Sequence, residues 1–223
     1  MCKKGVNPVL KIVIEHLEDG LWTWIYLEYE NISRFLGRDK IIFTNIKNEG
    51  WRRILSSLGE VWSDSILEYP HLDKLIILDP VAEKTLEPDH VGSNDLLVIG
   101  GILGDYPPRK RTYKYLTSKL LDKDVRIYNL GDKIFPIDSA ALVAYMIASG
   151  KRLDEIEVLE GLEIPLSGES ALVLPFAYPV IEGKPFIHPR LLELLKKEEP
   201  LTTGSSIWLE EYLNSKLDND LNV

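Results

Sequence analysis

The sequence predicts an α/β protein: a mostly parallel sheet of five or more strands, helices on both of its faces, and a small β and helical extension at the C-terminal end. Three observations lead there. Short, nearly continuous apolar runs recur between residues 9 and 130, the signature of strands buried on both faces of a parallel sheet. Segments of helical periodicity separate them. Several runs end in Gly, Asp or Pro, which turn the chain at a strand's carboxyl end.

Val9–Glu15 reads as the first strand, ending in Glu15-His16-Leu17-Glu18. Leu21–Leu36 follows with Leu21, Trp24, Ile25, Tyr29, Ile32, Phe35 and Leu36 at near-helical spacing, and Gly37 stops that helix. Lys40–Ile46 is a second strand. Asn48 is placed to cap a short helix running to Leu58 and stopped by Gly59. Leu72–Leu78 is a third strand, closed by Asp79-Pro80, and the polar link Val81–Asn94 contains the turn-forming Glu87-Pro88-Asp89. Leu96–Ile99 forms the fourth and central strand. Arg111–Leu121 offers a short amphipathic helix, and Asp124–Leu130 a fifth strand closed by Gly131-Asp132-Lys133. Asp138 is the expected N-cap of Ser139–Ser149, a helix apolar enough to be largely buried. Beyond residue 150, Glu157–Pro165 and Ala171–Phe186 hold β-like runs broken by Pro175, Pro179 and Gly183, as in a hairpin or covering flap. Pro189–Lys197 and Ser206–Leu217 are expected helices, and Asp218–Val223 a disordered tail.

The 223 residues carry 45% hydrophobic and 27% charged side chains, ordinary for a globular protein. No apolar run reaches the roughly 18–20 residues that a membrane span needs. The start lacks a signal-peptide pattern, and the single cysteine, Cys2, excludes an internal disulfide, so a cytoplasmic protein without membrane contact is expected. The net charge of −9 suits a cationic partner such as a basic protein better than nucleic acid, whose binders usually carry a basic patch. Dense basic groups are limited to Arg109-Lys110-Arg111, Arg52-Arg53 and Lys196-Lys197.

Three strand ends share one design. They are Leu78-Asp79-Pro80, the block Gly100-Gly101-Ile102-Leu103-Gly104-Asp105, and Asn129-Leu130-Gly131-Asp132-Lys133-Ile134. In an open α/β sheet such loops converge on a ligand beyond the carboxyl ends of the strands, and glycines there let backbone approach closely. No Walker lysine and no GxGxxG opening a helix is present, which argues against nucleotide phosphates and dinucleotides. The competing role for these loops is to end strands and nothing more.

These residues, with Ile14-Glu15-His16, Glu18, Trp24, Leu27-Glu28-Tyr29, Pro107-Pro108-Arg109, Arg111-Thr112 and Leu174-Pro175-Phe176, resemble the SPOUT class of S-adenosylmethionine-dependent methyltransferases. Within it they resemble the branch shared by archaea and eukaryotes, which includes a yeast protein arginine methyltransferase and has also been described as RNA-modifying. The match covers most of residues 12–185. It implies a deep trefoil knot at about 72–150 within a methyltransferase domain of residues 1–185, followed by a helical extension of residues 186–223 with a disordered tail. It also implies S-adenosylmethionine held by Leu78, Asp79, Pro80, Gly100, Gly101, Ile102, Leu103, Gly104, Asn129, Leu130, Gly131, Lys133 and Ile134. Two positions depart from the pattern expected of the yeast relative: Tyr106 stands in place of histidine and Val81 in place of arginine.

If the nucleophile is an arginine guanidinium, carboxylates must orient it and take its proton, because it is essentially never deprotonated in free solution. Asp105, in the cofactor loop, is the first candidate, with Glu15, Glu18 and Glu28 beside it. Their competing roles are turn stabilisation for Asp105 and a solvated surface for the three glutamates. His16 can serve as a base, or hold one structural hydrogen bond. Arg109 and Arg111 can meet a cofactor carboxylate or an RNA phosphate, or merely solubilise the loop. The expected activity is thus methylation of an arginine in a basic, ribosomal protein. The alternatives are an rRNA or tRNA methyltransferase and a cofactor-binding ribosome-assembly factor without turnover. Monomer and homodimer stay equally open.

Overall fold

The computed structural model describes residues 10–166 and 170–197. The expected helix at Ser206–Leu217, the tail at Asp218–Val223 and Cys2 lie outside them. Six strands form one parallel sheet: β1 (Lys11–His16), β2 (Ile41–Thr44), β3 (Glu60–Val61), β4 (Leu75–Leu78), β5 (Leu96–Gly101) and β6 (Arg126–Tyr128). Their order across the sheet is β3-β2-β1-β5-β4-β6, and every neighbouring pair runs parallel.

Strand alternation sorts the core into two layers. Ile12, Ile14, Ile41, Phe43, Ile76, Leu78, Leu97 and Ile99 face one side, beneath α1 (Thr23–Leu36), α2 (Glu49–Leu55) and α4 (Ile137–Ala148). Val13, Ile42, Leu75, Ile77 and Val98 face the other, covered by Ile66, Leu116 and Leu120 around the short helix α3 (Arg111–Tyr115). Asn48 caps α2 as expected, its side chain accepting from Trp51 N–H at 3.1 Å.

Two expectations change. The helix expected over Arg111–Leu121 stops at Tyr115, and after Leu116, at φ −123° and ψ −69°, the chain continues as a single 3-10 turn at residues 117–119. The helix expected over Ser139–Ser149 behind an Asp138 cap begins two residues earlier, at Ile137 behind Pro136. Asp138 is instead buried in its first turn, its Oδ2 accepting from Asn31 Nδ2 at 2.7 Å. The first helical N–H is met from far away, Glu28 Oε2 accepting from Ile137 N–H at 2.9 Å, while Asp138 Oδ1 accepts from Ser139 N–H at 2.7 Å within the same turn.

The expected flap is an antiparallel sheet of β7 (Val158–Pro165), β8 (Ala171–Ile181) and β9 (Lys184–Pro185). It docks on the loop after β6 through Ala177 N–H, which donates to Ile134 O at 2.8 Å, and on the core through the buried Ile164, Leu174 and Tyr178. Helix α5 (Pro189–Lys196) presses Leu191, Leu194 and Leu195 into the same core. Among the described residues no helix is long and apolar enough to cross a membrane.

Around residue 129 the chain meets the β4–β5 connection. Asn129 N–H donates to Lys84 O at 2.8 Å, Leu86 N–H to Asn129 O at 2.9 Å, and Asn129 Nδ2 to Ala82 O at 2.7 Å. Just beyond this seam, α4 packs on α1, on β5 and on the turn at residues 88–90.

Candidate active site

Parallel pairing sets the carboxyl ends of β4, β5 and β6 side by side, and the loops that leave them enclose a cleft of about 320 Å³. Leu78, Asp79, Pro80, Gly100, Ile102, Leu103, Gly104, Asp105, Leu130, Gly131, Lys133 and Ile134 line it. Of the residues expected to hold a cofactor, Gly101 and Asn129 alone stand behind that lining. Gly101 lies against the Tyr29 hydroxyl and Glu15 O, and Asn129 spends its side chain on the seam described above and on Gly131 N–H. Sequence reasoning missed Ile137 and Ala140, which α4 contributes to the lining. The apolar face of that helix was the available signal, but which strand ends it reaches depends on tertiary packing.

The cleft is apolar where it is buried, at Leu78, Ile99, Leu130 and Ile137, and charged where it opens, at Asp105, Arg109, Lys110, Arg111 and Lys133. Glycine keeps one wall open to close approach. A Cβ on Gly104 would sit 2.6 Å from the Phe176 ring, and one on Gly100 3.2 Å from Thr112 Oγ1. Lys133 is paired across the opening with Glu160 of the flap.

Arg111 ties the opening together. Its Nε donates to Asp105 Oδ2 at 2.6 Å, Nη1 to Glu18 Oε1 at 2.8 Å, and Nη2 to Leu103 O at 2.5 Å. Glu18 Oε1 also accepts from Leu103 N–H at 3.0 Å. Thus Glu18 and Arg111 fix the course of the Leu103–Asp105 segment and present Asp105 to the cleft. Arg109 Nε lies 4.0 Å from the other Asp105 oxygen.

The other two glutamate candidates sit elsewhere. Glu15 is 1% exposed and turns to the opposite sheet face, where Thr44 Oγ1, Ser65 Oγ and Ile66 N–H all donate to its carboxylate. That carboxylate anchors β1 to the chain after β3 and is spent there. Glu28, also buried, accepts from Trp24 Nε1 at 2.6 Å and caps α4. Burial first, and then the neighbouring Asp138, pushes the Glu28 carboxyl well above the usual range. Burial lifts Asp138 to about 7, against the hydrogen bonds from Asn31 and Ser139. His16, 2% exposed, has its Nδ1 2.9 Å from the Tyr29 hydroxyl, and burial lowers it to about 4 against the pull of Asp19, so its ring is neutral near pH 7.

With this geometry in place, comparison with known proteins is specific. The sequence model of a family described as protein arginine N-methyltransferase SFM1-like matches residues 11–201. Protein arginine N-methyltransferase SFM1 of Saccharomyces cerevisiae is 30% identical over 208 residues, covering 85% of this chain and 95% of its own. The crystal structure of the yeast arginine methyltransferase SFM1 complexed with SAM has a TM-score of 0.77 at 27% identity, covering 88% of this chain and 94% of that one. The dual specific Trm10 from Thermococcus kodakaraensis shares the fold at a TM-score of 0.50 and 19% identity, over 66% of this chain and 96% of that one. From residue 11 to residue 201, then, the chain belongs to the SFM1-like family of protein arginine N-methyltransferases.

Proposed function

We propose that this protein transfers the methyl group of S-adenosylmethionine to an arginine of a basic, ribosomal protein in the cytoplasm. The observation that carries the reading is a carboxylate, Asp105, held at the charged opening of a glycine-walled apolar cleft by a protein of this family. The residues fit the cofactor. A buried apolar slot suits an adenine ring, the Gly100 and Gly104 backbone leaves no Cβ in the way, and the charged opening suits a zwitterionic amino-acid end.

Bound there, the cofactor supplies an electrophilic methyl group on sulfur. The protein's task is then positioning. Leu78, Asp79, Pro80 and the loops at residues 100–104 and 130–134 hold the cofactor. Asp105 accepts hydrogen bonds from the incoming guanidinium, orients one nitrogen, and takes the proton lost on transfer. Glu18 and Arg111 keep Asp105 in place, and Glu28 holds the first turn of α4 against the cleft.

Residues 1–185 are read as the catalytic domain and 186–223 as its extension. A trefoil knot at about 72–150 is supported by three facts. The β4–β5 connection crosses the first face, where Leu86 is buried; the β5–β6 connection crosses the second, through α3; and the chain after residue 129 meets the first connection before α4 packs beneath it. RNA as a substrate draws on the exposed Arg109 and Lys110, but Arg111, the third member of that basic triplet, is already engaged by Asp105 and Glu18.

The test is transfer of labelled methyl from S-adenosylmethionine into salt-washed ribosomes stripped of prior methylation, with protein and RNA counted separately. Label in one ribosomal protein, lost in Asp105→Ala, is the expected result. Label in RNA overturns the protein reading. Cofactor binding without label in either fraction marks an assembly factor.

A further inference from the structure

A second pocket, of about 420 Å³, opens beside β6. Two of its lining side chains are deeply buried and incompletely bonded: Asp79 is 1% exposed with Oδ2 unpartnered, and Thr117 is 3% exposed with Oγ1 unpartnered. The other Asp79 oxygen accepts from Val81 N–H at 3.1 Å. Along β4, Leu75 and Ile77 face the second layer and Ile76 and Leu78 the first. Asp79 continues the ladder, donating its N–H to Tyr128 O at 2.9 Å, so alternation carries its carboxylate to the second layer, the side of Thr117. Buried polar groups are nearly always hydrogen-bonded. Two unpartnered oxygens in one pocket therefore point to atoms that come from outside the chain.

The rim says what kind. Val81, Tyr113 and Leu121 line the pocket at 40%, 39% and 58% exposure. They are three of the seven large apolar side chains exposed among the described residues, so the apolar surface is concentrated here. Water would satisfy the two oxygens and leave that rim bare. A carboxylate oxygen accepts and cannot donate, so its missing partner is a donor. An aliphatic stem ending in a cation meets both demands: the stem covers the apolar rim and the head reaches the carboxylate. Glu83 adds a second acidic group, against Lys84 as the one cation in the lining, and the chain as a whole carries −9.

We propose that this pocket is a substrate subsite, seating a second basic side chain, arginine or lysine, of the same segment that presents the arginine for methylation. The proposal rests on the function proposed above. Asp79 and Val81 line both pockets, so the two share a wall and one extended segment can reach both. Substrate choice would then depend on a basic residue at a fixed distance from the target.

The experiment is equilibrium binding of synthetic glycine-serine peptides to the full chain saturated with S-adenosylhomocysteine. One peptide carries a single arginine; the others carry a second arginine at a short series of spacings. A charge-assisted hydrogen bond to Asp79 should make one spacing bind about tenfold tighter than the single-arginine peptide. Leu121→Lys, at an exposed rim position, sets an ammonium at the entrance and should cut that advantage to below about twofold while S-adenosylhomocysteine affinity is retained. The proposal is overturned if no spacing gains more than about twofold, if all gain alike as for diffuse attraction, or if the advantage survives in Leu121→Lys. Peptides that bind with this spacing preference but accept no labelled methyl leave the subsite standing and overturn the transferase reading instead.

Discussion

Arg111 meets three acceptors on two segments, Glu18 after β1 and both Leu103 and Asp105 on the loop after β5, and only a planar fork of donors serves all three. Lysine keeps the charge and loses the fork, so Arg111→Lys leaves the two carboxylates facing each other with one point charge between them. We expect S-adenosylmethionine affinity to fall by about tenfold, with a melting shift of no more than a few degrees, because the loss is confined to a partly exposed loop. Unchanged affinity by calorimetry would remove Arg111 from the support of that loop. The buried ionisable groups give a second test at this scale. Asp138 is lifted to about 7 from 3.8 and Glu28 moves the same way, so the folded state binds more protons than the unfolded one and stability declines as pH rises from about 4 to 7. His16, lowered from 6.5 to about 4, acts in the opposite sense: the unfolded state binds more protons there, so stability is lost as pH falls through that window. The two trends oppose each other in the wild type, which makes a variant the cleaner probe. Asp138→Asn does not titrate and keeps an acceptor for Asn31. Its melting temperature relative to wild type should therefore improve from pH 5 to pH 8, and a pH-independent difference would contradict a raised Asp138.

Between elements, the tightest demand falls where β5 meets α1. A Cβ on Gly101 would collide with the Tyr29 hydroxyl and lie 3.0 Å from Glu15 O on the adjoining strand. Gly101→Ala should cost about 1–3 kcal/mol as overpacking of a closed core. Tyr29→Phe removes the nearest atom, so the double variant should recover part of that loss in denaturant melts; strict additivity would mean that the strand and the helix do not meet there. This scale also shows what a sequence can and cannot display. Five strands are legible because LIIL or LLVIGG is apolar throughout, whereas β3 is the two-residue edge Glu60-Val61, too short to make a pattern. The three loops that enclose the cleft are legible because glycine, aspartate and proline cluster where strands end. The glutamates are not, because their roles are set by distant partners. Glu15 is claimed by Ser65 and Ile66, and Glu28 by a helix start 109 residues away. Spacing places Glu15 at a strand end without saying which face of the sheet it turns to, and that face separates an anchor from a catalyst.

At the scale of the whole molecule the dominant quantity is the charge of −9, carried by a chain whose proposed cofactor cleft opens among Arg109, Lys110, Arg111 and Lys133. The cations at the opening are partly answered from within, Arg111 by Asp105 and Glu18 and Lys133 by Glu160, so the distant field of the protein stays acidic. A basic substrate is drawn by that field, and salt screens it over a Debye length of about 8–10 Å at physiological strength. A cofactor enclosed by loops interacts at contact distance and feels little of the screening. Raising salt from about 50 to about 500 mM should therefore raise the apparent KM for a purified basic ribosomal protein severalfold, mainly through slower association, and leave the Kd for S-adenosylhomocysteine within about twofold. A KM that ignores salt would mean that recognition is local and that the charge of this chain serves solubility alone. A KM and a cofactor Kd that move together would show that salt acts on the cleft, and would withdraw the electrostatic argument for a basic protein as partner.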